Sequence, residues 1–276
     1  MPVQSENDLK GVAETLLIPL YVRAQESQRP DALLNDERAV AFVSERGFDL
    51  SRVRGLGMDD GDRIALVLRN RQFDLLTRDF LHRHPDAVVV HIGCGLDSRF
   101  ERVDDGRVDW YDLDLPEVIA LRREFIGGEC SRYHLLAYSA FDRRWLDMLG
   151  ERPPRDTLFL AEGVFMYFDE AQIRSLVVSL RERYPGSELA CDAFSPFAVR
   201  MTNRRMARSK LGARYNWGLS HAKDIEAWGD GIRLLDEWFP LSSPEPRLGH
   251  LRWMRWIPPL ARVMGVFHYR LGDAPG

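Results

Sequence analysis

The chain has 276 residues, of which 45% are hydrophobic and 29% are charged, and its net charge is −4. This composition predicts an ordinary globular protein with a substantial core, built as one large domain or as one domain with an appendage. Because the net charge is slightly negative, the chain lacks the overall positive charge that attracts nucleic acid, so no nucleic-acid partner is predicted.

Cysteine use and hydropathy bear on the cellular compartment. The three cysteines, Cys94, Cys130 and Cys191, are scattered, and their spacing suits neither a zinc site nor a disulfide framework, so no metal is predicted. The N-terminus lacks the apolar core of a signal peptide, and the hydrophobic stretch at 251–267 is interrupted by three arginines and two prolines. These features predict a cytoplasmic protein with no membrane partner.

Residues 1–85 predict an N-terminal helical cap. Apolar residues recur at helical spacing from residue 9 to residue 25, Asp36 is placed to cap a short helix through Phe42, and residues 62–82 form a longer amphipathic pattern.

From residue 86 to the end, strand patterns alternate with helical ones, which is typical of parallel strands joined by crossover helices. The last strand pattern alternates apolar and polar residues, as an edge or antiparallel strand does. Helices are predicted at 116–126 and 170–183, and strands at 87–93, 108–113, 134–139, 157–163, 188–194, 232–238 and 265–271.

A basic, aromatic stretch at about 195–231 interrupts this alternation and is predicted to be a late insertion. The sequence therefore predicts an α/β protein with a Rossmann-like, doubly wound, mostly parallel seven-stranded sheet at 86–276.

The most informative motif is a run of β-branched residues that leads into a turn formed by Gly93 and Gly95. Glycine has no Cβ, so it suits a place where the backbone approaches a ligand closely. About 20 residues later, Asp112 and Asp114 end the next strand, at the spacing of an acid that binds ribose in nucleoside-binding βαβ units. Ser98 stands where a dinucleotide fold prefers a third glycine, which favours a nucleoside ligand without phosphates, such as S-adenosylmethionine, over a nicotinamide dinucleotide.

Three separated segments follow in order: GCGLDSR at 93–99, DLDLPEV at 112–118 and AEGVFMY at 161–167. They resemble the leucine carboxyl methyltransferase family, and most closely its bacterial branch, which includes polyketide-synthesis O-methyltransferases. Segments upstream, at 15–24, 31–39 and 68–74, are also similar to that family, so the resemblance runs from about residue 12 to about residue 195. It implies a Rossmann-like methyltransferase that uses S-adenosylmethionine.

The resemblance also implies roles for individual residues in holding this cofactor. Arg69 is expected beside the cofactor carboxylate, which a guanidinium can hold with two parallel hydrogen bonds. Asp114 is the expected ribose-binding acid, although spacing alone leaves Asp112 open, since both lie on one face of the strand. Glu162 is expected to face the methionine end of the cofactor and its ammonium group.

One segment departs from the family. Many members have an acid followed by leucine after the third strand, where it addresses the adenine amino group. This chain has Tyr138 and Ser139 at those places, and Asp142 follows later. Either Ser139 or Asp142 can accept a hydrogen bond from adenine, and the sequence leaves both open. Asp97, just after the glycine turn, is predicted to brace the loop.

Methyl transfer from a sulfonium is an in-line displacement in which an enzyme mainly aligns acceptor and methyl group. A carboxylate acceptor is ionised at neutral pH and needs no base, whereas a phenol or alcohol favours one. His91, within the first strand, is predicted to be a core residue. His221 is the least implausible base, and Tyr167 is a second candidate on the acceptor side.

The predicted insertion contains Tyr215 and Trp217 among basic residues: Arg200, Arg204, Arg205, Arg208, Lys210 and Arg214. The plain interpretation is a solvated helix face, and the functional one is a mobile cover that attracts an acidic small molecule.

The leading hypothesis is an S-adenosylmethionine-dependent O-methyltransferase acting on a carboxylate or hydroxyl of a small, polyketide-type metabolite and releasing S-adenosylhomocysteine. The alternative is a cofactor-binding protein of the same fold without methyl transfer. The sequence identifies neither the acceptor nor the oligomeric state.

Overall fold

The seven strands form a single sheet in the order β3-β2-β1-β4-β5-β7-β6. A computed structural model describes residues 13–46, 58–126, 128–149, 156–209 and 214–273. The strands are β1 (Val88–Ile92), β2 (Asp109–Asp114), β3 (Tyr133–Ala137), β4 (Thr157–Ala161), β5 (Ser187–Phe194), β6 (Arg233–Trp238) and β7 (Met264–Leu271). Strands β1 to β5 are parallel, and β7 runs antiparallel to both β5 and β6.

This arrangement confirms the predicted mostly parallel, seven-stranded α/β fold. The last strand is antiparallel, which is one of the two alternatives its sequence pattern left open. It is not an edge strand, because it inserts between β5 and β6 and leaves β6 at the edge.

Eight α-helices are described, and short 310 helices link several of the elements. The α-helices are α1 (Ala13–Ser27), α2 (Glu37–Arg46), α3 (Asp60–Arg83), α4 (Arg99–Val103), α5 (Pro116–Ile126), α6 (Glu170–Arg183), α7 (Pro196–Ser209) and α8 (Pro258–Ala261). Asp36 caps α2 as predicted, since its carboxylate accepts a hydrogen bond from the Ala39 backbone N–H at 2.9 Å. Residues 9–12, the predicted start of the first helix, lie outside the described residues. None of the helices described here is both long and apolar enough to cross a membrane.

Both faces of the sheet are covered, because alternate residues of each strand point to opposite sides. On one face Val88 and Val90 pack with Leu176 and Leu180 of α6. On the other, Val89 packs in a cluster that includes side chains of α3, namely Phe73, Phe80 and Leu81. The predicted boundary between cap and core, at residue 85, falls between α3 and the sheet, although α3 packs directly on the sheet.

The stretch at 195–231, predicted as an insertion, contributes side chains to the core of the fold. Helix α7 follows β5 directly, and Trp217, Ile225 and Trp228 are buried in the core cluster on the α6 face of the sheet. Arg205 of α7 pairs with Asp62 at the start of α3, at 3.0 Å. Lys210 lies outside the described residues.

Candidate active site

A cavity of about 470 Å³ opens at the carboxyl ends of the central strands. Its floor is formed by residues that follow β1, β2, β3 and β4, and α1, α3 and α7 contribute to its walls. The chain leaves β1 toward β2 on one side, while β4 lies on the other, so the cavity is at the topological switch point where open α/β sheets bind ligands.

The turn after β1 requires both of its glycines. Gly93 and Gly95 have φ angles of 65° and 50°, in the left-handed region that glycine adopts without strain. A Cβ on Gly93 would lie 2.4 Å from the Val164 side chain, and one on Gly95 would lie 2.8 Å from the Leu16 side chain. Gly93 lines the cavity.

Asp114, at the end of β2, lines the cavity and braces the glycine turn. Its carboxylate accepts hydrogen bonds from the backbone N–H groups of Gly95 and Leu115, both at 2.8 Å. Burial raises the pKa of Asp114 above its ordinary value, although these two hydrogen bonds oppose the effect. Each carboxylate oxygen keeps a second lone pair for a ligand hydroxyl.

Asp112, the competing acid, is fully buried and is not among the described residues that line the cavity. Its carboxylate pairs with Arg122 and accepts hydrogen bonds from Trp110 and Tyr133. Because the Asp112 carboxylate is engaged by these three residues, Asp114 is the acid at the end of β2 that is available to a ligand.

Arg69 and Glu162 form a buried ion pair on the cavity wall. The Arg69 Nε lies 3.0 Å from Glu162 Oε1, and its Nη1 lies 2.9 Å from Oδ2 of Asp192. The other oxygen of Asp192 accepts a hydrogen bond from the Gly163 backbone N–H at 2.6 Å. Burial raises the pKa of Asp192, against the attraction of Arg69. Asp192 therefore fixes both Arg69 and the turn that follows Glu162, a role that the sequence did not reveal.

Glu162 is held by two further donors, which extend the ion pair into a network. Asn70 donates to its Oε1, and Arg99 Nη2 lies 2.5 Å from its Oε2. Arg99 also pairs with Asp97 at 3.1 Å. Burial disfavours ionisation of Asp97, but the guanidinium groups of Arg102 and Arg99 outweigh it and hold the pKa of Asp97 well below its usual range. Asp97 thus braces the loop, as predicted.

The two adenine candidates are placed differently. Ser139 lines the cavity, between Tyr138 and Ala140. Asp142 is not among the described residues that line it, and its carboxylate pairs with Arg144 two residues later, at 2.9 Å from Nε. The structure therefore brings Ser139, and not Asp142, to the site.

Apolar and phenolic side chains form a wall that adjoins the ion pairs, because Tyr215 interacts electrostatically with Arg69 and Asp192. The rings of Tyr167 and Tyr215 meet edge to face, with centroids 5.4 Å apart. Tyr215 is anchored through backbone hydrogen bonds with the Asn203 side chain, at 2.8 and 2.9 Å. Burial, together with Tyr167, raises the pKa of Tyr215, so its phenol stays protonated at neutral pH. The remaining residues of this wall include Ile18, Leu66, Met166, Phe168 and Met206.

Tyr215 lies outside the segments that resemble the family, and its only sequence signal is an aromatic residue in a basic stretch.

Tyr167, predicted as a candidate on the acceptor side, lines the cavity. His221 does not line it: its side chain is 83% exposed and lies 3.7 Å from Asp224, next to a 310 helix (Ala222–Trp228). His91 is buried, as predicted, with its Nδ1 3.6 Å from the Asp112 carboxylate. Within the described ranges, no cluster of side chains could hold a metal ion.

Comparison with known proteins identifies the family. The model of the leucine carboxyl methyltransferase family matches residues 17–180. The tetracenomycin polyketide synthesis O-methyltransferase of Streptomyces glaucescens is 34% identical over 86% of each chain. An S-adenosyl-L-methionine-dependent methyltransferase of Gibberella zeae is 30% identical over 97% of this chain and 95% of its own.

Solved structures support the fold. A putative methyltransferase from Thermobifida fusca superposes with a TM-score of 0.55 at 14% identity, covering 91% of this chain and 94% of its own. A DUF574 family protein from Streptomyces avermitilis gives a TM-score of 0.53 at 17% identity, over 93% and 96% of the two chains. The chain therefore belongs to the leucine carboxyl methyltransferase family, and its cofactor is S-adenosylmethionine.

Proposed function

We propose that the protein transfers the methyl group of S-adenosylmethionine to an oxygen of a small acidic or hydroxylated metabolite, and that a carboxylate is the favoured acceptor. The observation that carries this proposal is the lining of the cavity, which combines charged side chains suited to the cofactor, here called the ionic wall, with apolar and phenolic ones. The polyketide O-methyltransferase relative supports oxygen as the receiving atom.

The ionic wall has the chemistry that the cofactor needs. Arg69 offers a guanidinium for a carboxylate, Glu162 a carboxylate for an ammonium, and Asp114 a carboxylate for ribose hydroxyls. Ser139 offers a hydroxyl at the place proposed for adenine. Gly93 lets the backbone of the turn line the cavity between these groups, because a side chain at this position would clash with Val164.

The bound cofactor supplies an electrophilic methyl group on a sulfonium. The chain's contribution is to hold the acceptor oxygen in line with that group and to exclude water, and such positioning is worth about 7–11 kcal/mol. Tyr215 suits this task because its protonated hydroxyl, which hydrogen-bonds with Tyr167, adds a polar group to the apolar part of the lining, where an acceptor oxygen can exchange for Tyr167 as its partner.

A carboxylate is favoured because each acid or histidine among the described lining residues is already assigned to another task. The carboxylates of Asp97 and Glu162 are paired with arginines, Asp114 is assigned to the ribose hydroxyls, and His91 is buried between Arg99 and Asp112. An ionised acid requires no deprotonation, whereas a phenol or alcohol must lose a proton before or during transfer.

A second function, cofactor binding without transfer, is motivated by the altered adenine segment at Tyr138 and Ser139. The two functions are separated by incubating the protein with S-adenosylmethionine and a panel of matched aromatic acids and phenols. Methyl esters formed together with S-adenosylhomocysteine support the proposal. Tight cofactor binding with no methylated product across the panel favours the second function.

A further inference from the structure

The C-terminal part of the chain carries an exposed surface that the cofactor cavity does not use. Residues 246–272 contain five arginines and no acidic residue, although the net charge of the whole chain is −4. Within this stretch a 310 helix (Pro246–Trp256), kinked at Gly249, leads into α8. Its end exposes Trp253, Trp256 and Ile257, at 52%, 74% and 42% of their full surface.

The inner side of this 310 helix is fixed to the fold. Leu248 is fully buried in a cluster with Ile64 and Leu68 of α3, and Leu251 and Met254 pack against the same cluster. The exposed side chains are therefore presented from an anchored segment.

Tryptophan and arginine alternate around the outer side of the helix. Residues three apart in a 310 helix lie above one another, so Trp253 and Trp256 share one side, and Arg252 and Arg255 share the adjacent one. The Arg255 guanidinium lies 4.7 Å from the centroid of the Trp256 ring. We call these four residues, with Ile257, the tryptophan–arginine surface.

The positive charge of this surface is not neutralised by the acids that approach the segment. Arg247 pairs with Glu26 and Glu245, His250 lies near Asp59, and Arg262 lies 3.6 Å from Glu237. Neither Arg252 nor Arg255 forms an ion pair with any residue that the structure describes.

We propose that the tryptophan–arginine surface docks the protein on an anionic lipid bilayer. Tryptophan rings favour the headgroup level of a bilayer, and arginines beside them are attracted to anionic lipids. A protein partner suits the surface less well, because stable protein interfaces bury about 800 Å² on each side, with a larger apolar core than three side chains provide. The sequence predicted no membrane partner because no stretch of it can span a bilayer, and docking on the headgroups does not require such a stretch.

The test measures partition of the full-length protein onto phosphatidylglycerol vesicles and onto phosphatidylcholine vesicles by flotation, at about 0.1 M salt. The wild type is expected to bind the anionic vesicles at least about tenfold more strongly. The W253S/W256S and R252Q/R255Q variants should each lose about tenfold of that binding. A matched control, L75S/M148S, removes two side chains of similar exposure elsewhere and should bind as the wild type does.

Equal partition onto both kinds of vesicle, or wild-type binding by both surface variants, would overturn the proposal. A concentration-dependent dimer that the W253S/W256S variant abolishes would also overturn it, because the occupant would then be a second copy of the chain. Quenching of tryptophan fluorescence by brominated phosphatidylglycerol tests the wild type directly if a variant fails to fold. None of these outcomes depends on methyl transfer.

Discussion

Replacing Glu162 by glutamine separates its contribution to cofactor binding from its contribution to stability. Its carboxylate receives hydrogen bonds from Arg69, Asn70 and Arg99, and the side chain is buried. In the E162Q variant, the amide NH2 must face at least one of these donors, so a buried charged donor loses its partner.

The structure sets the size of both effects. A hydrogen bond to a charged group is worth about 1.5–3 kcal/mol. Arg69 keeps Asp192 and Arg99 keeps Asp74, so we expect a loss of about 2 kcal/mol in the free energy of unfolding. If Glu162 binds the cofactor ammonium, as proposed, that ammonium loses its charged partner in addition, and about 1.5–3 kcal/mol corresponds to a Kd for S-adenosylmethionine raised roughly 10- to 150-fold.

Glu188 provides a matched control. It is also a buried glutamate, paired with Arg83 at 3.0 Å and with His268 at 2.7 Å, but it does not line the cavity. The E188Q variant should lose a similar free energy of unfolding and keep its Kd. Calorimetric titration with S-adenosylmethionine and denaturant unfolding of both variants measure these quantities. If E162Q loses stability as E188Q does while its Kd stays within about twofold of wild type, the cofactor role of Glu162 is refuted.

Three further outcomes are expected. If the Tyr215 hydroxyl contacts the acceptor as proposed, Y215F should lower kcat/KM for the acceptor about tenfold in steady-state assays and change the Kd for S-adenosylmethionine much less, although Tyr215 also interacts with Arg69; equal changes in the two quantities would contradict this. Since burial raises the pKa of Asp114, cofactor affinity should decline on acidification at a higher pH than an ordinary aspartate would produce, and D114N should remove that decline in a calorimetric pH series. Burial disfavours ionisation of Glu188, but His268 and Arg83 lower its pKa to about 2 from an ordinary 4.5. The stabilisation by the Glu188 carboxylate is therefore present above pH 4.5 and lost as the pH falls toward 2, so the advantage of the wild type over E188Q in unfolding free energy should vanish across that window.

The parts of the fold and site that local sequence specifies were predictable. The apolar runs gave the strands to within a few residues, as for the predicted 87–93 and the observed β1. The glycines that follow β1 and the acids that end β2 lie next to their strands in sequence, and parallel strands bring their carboxyl ends together. Asp36 was recognisable as a cap because it directly precedes its helix.

The parts that depend on distant contacts were not predictable. Asp192 is 123 residues from Arg69, and an acid within an apolar strand does not indicate which arginine it holds. The choice between Asp112 and Asp114 required the positions of Arg122 and Tyr133, which bind the carboxylate of Asp112. The sequence likewise did not show that Asp142 pairs with Arg144 and that Ser139 lines the cavity. The sequence did not predict that Trp217 is buried, because the many basic residues around it indicate an exposed segment.

The most direct test of the central claim is mass spectrometry of the products formed from methyl-labelled S-adenosylmethionine and a panel of aromatic carboxylic acids. The proposal predicts a labelled methyl ester and an equal amount of S-adenosylhomocysteine, with both reduced in the E162Q variant at subsaturating cofactor. Label transferred only to nitrogen or carbon, or no transfer to any acceptor by a protein that binds the cofactor, would contradict it.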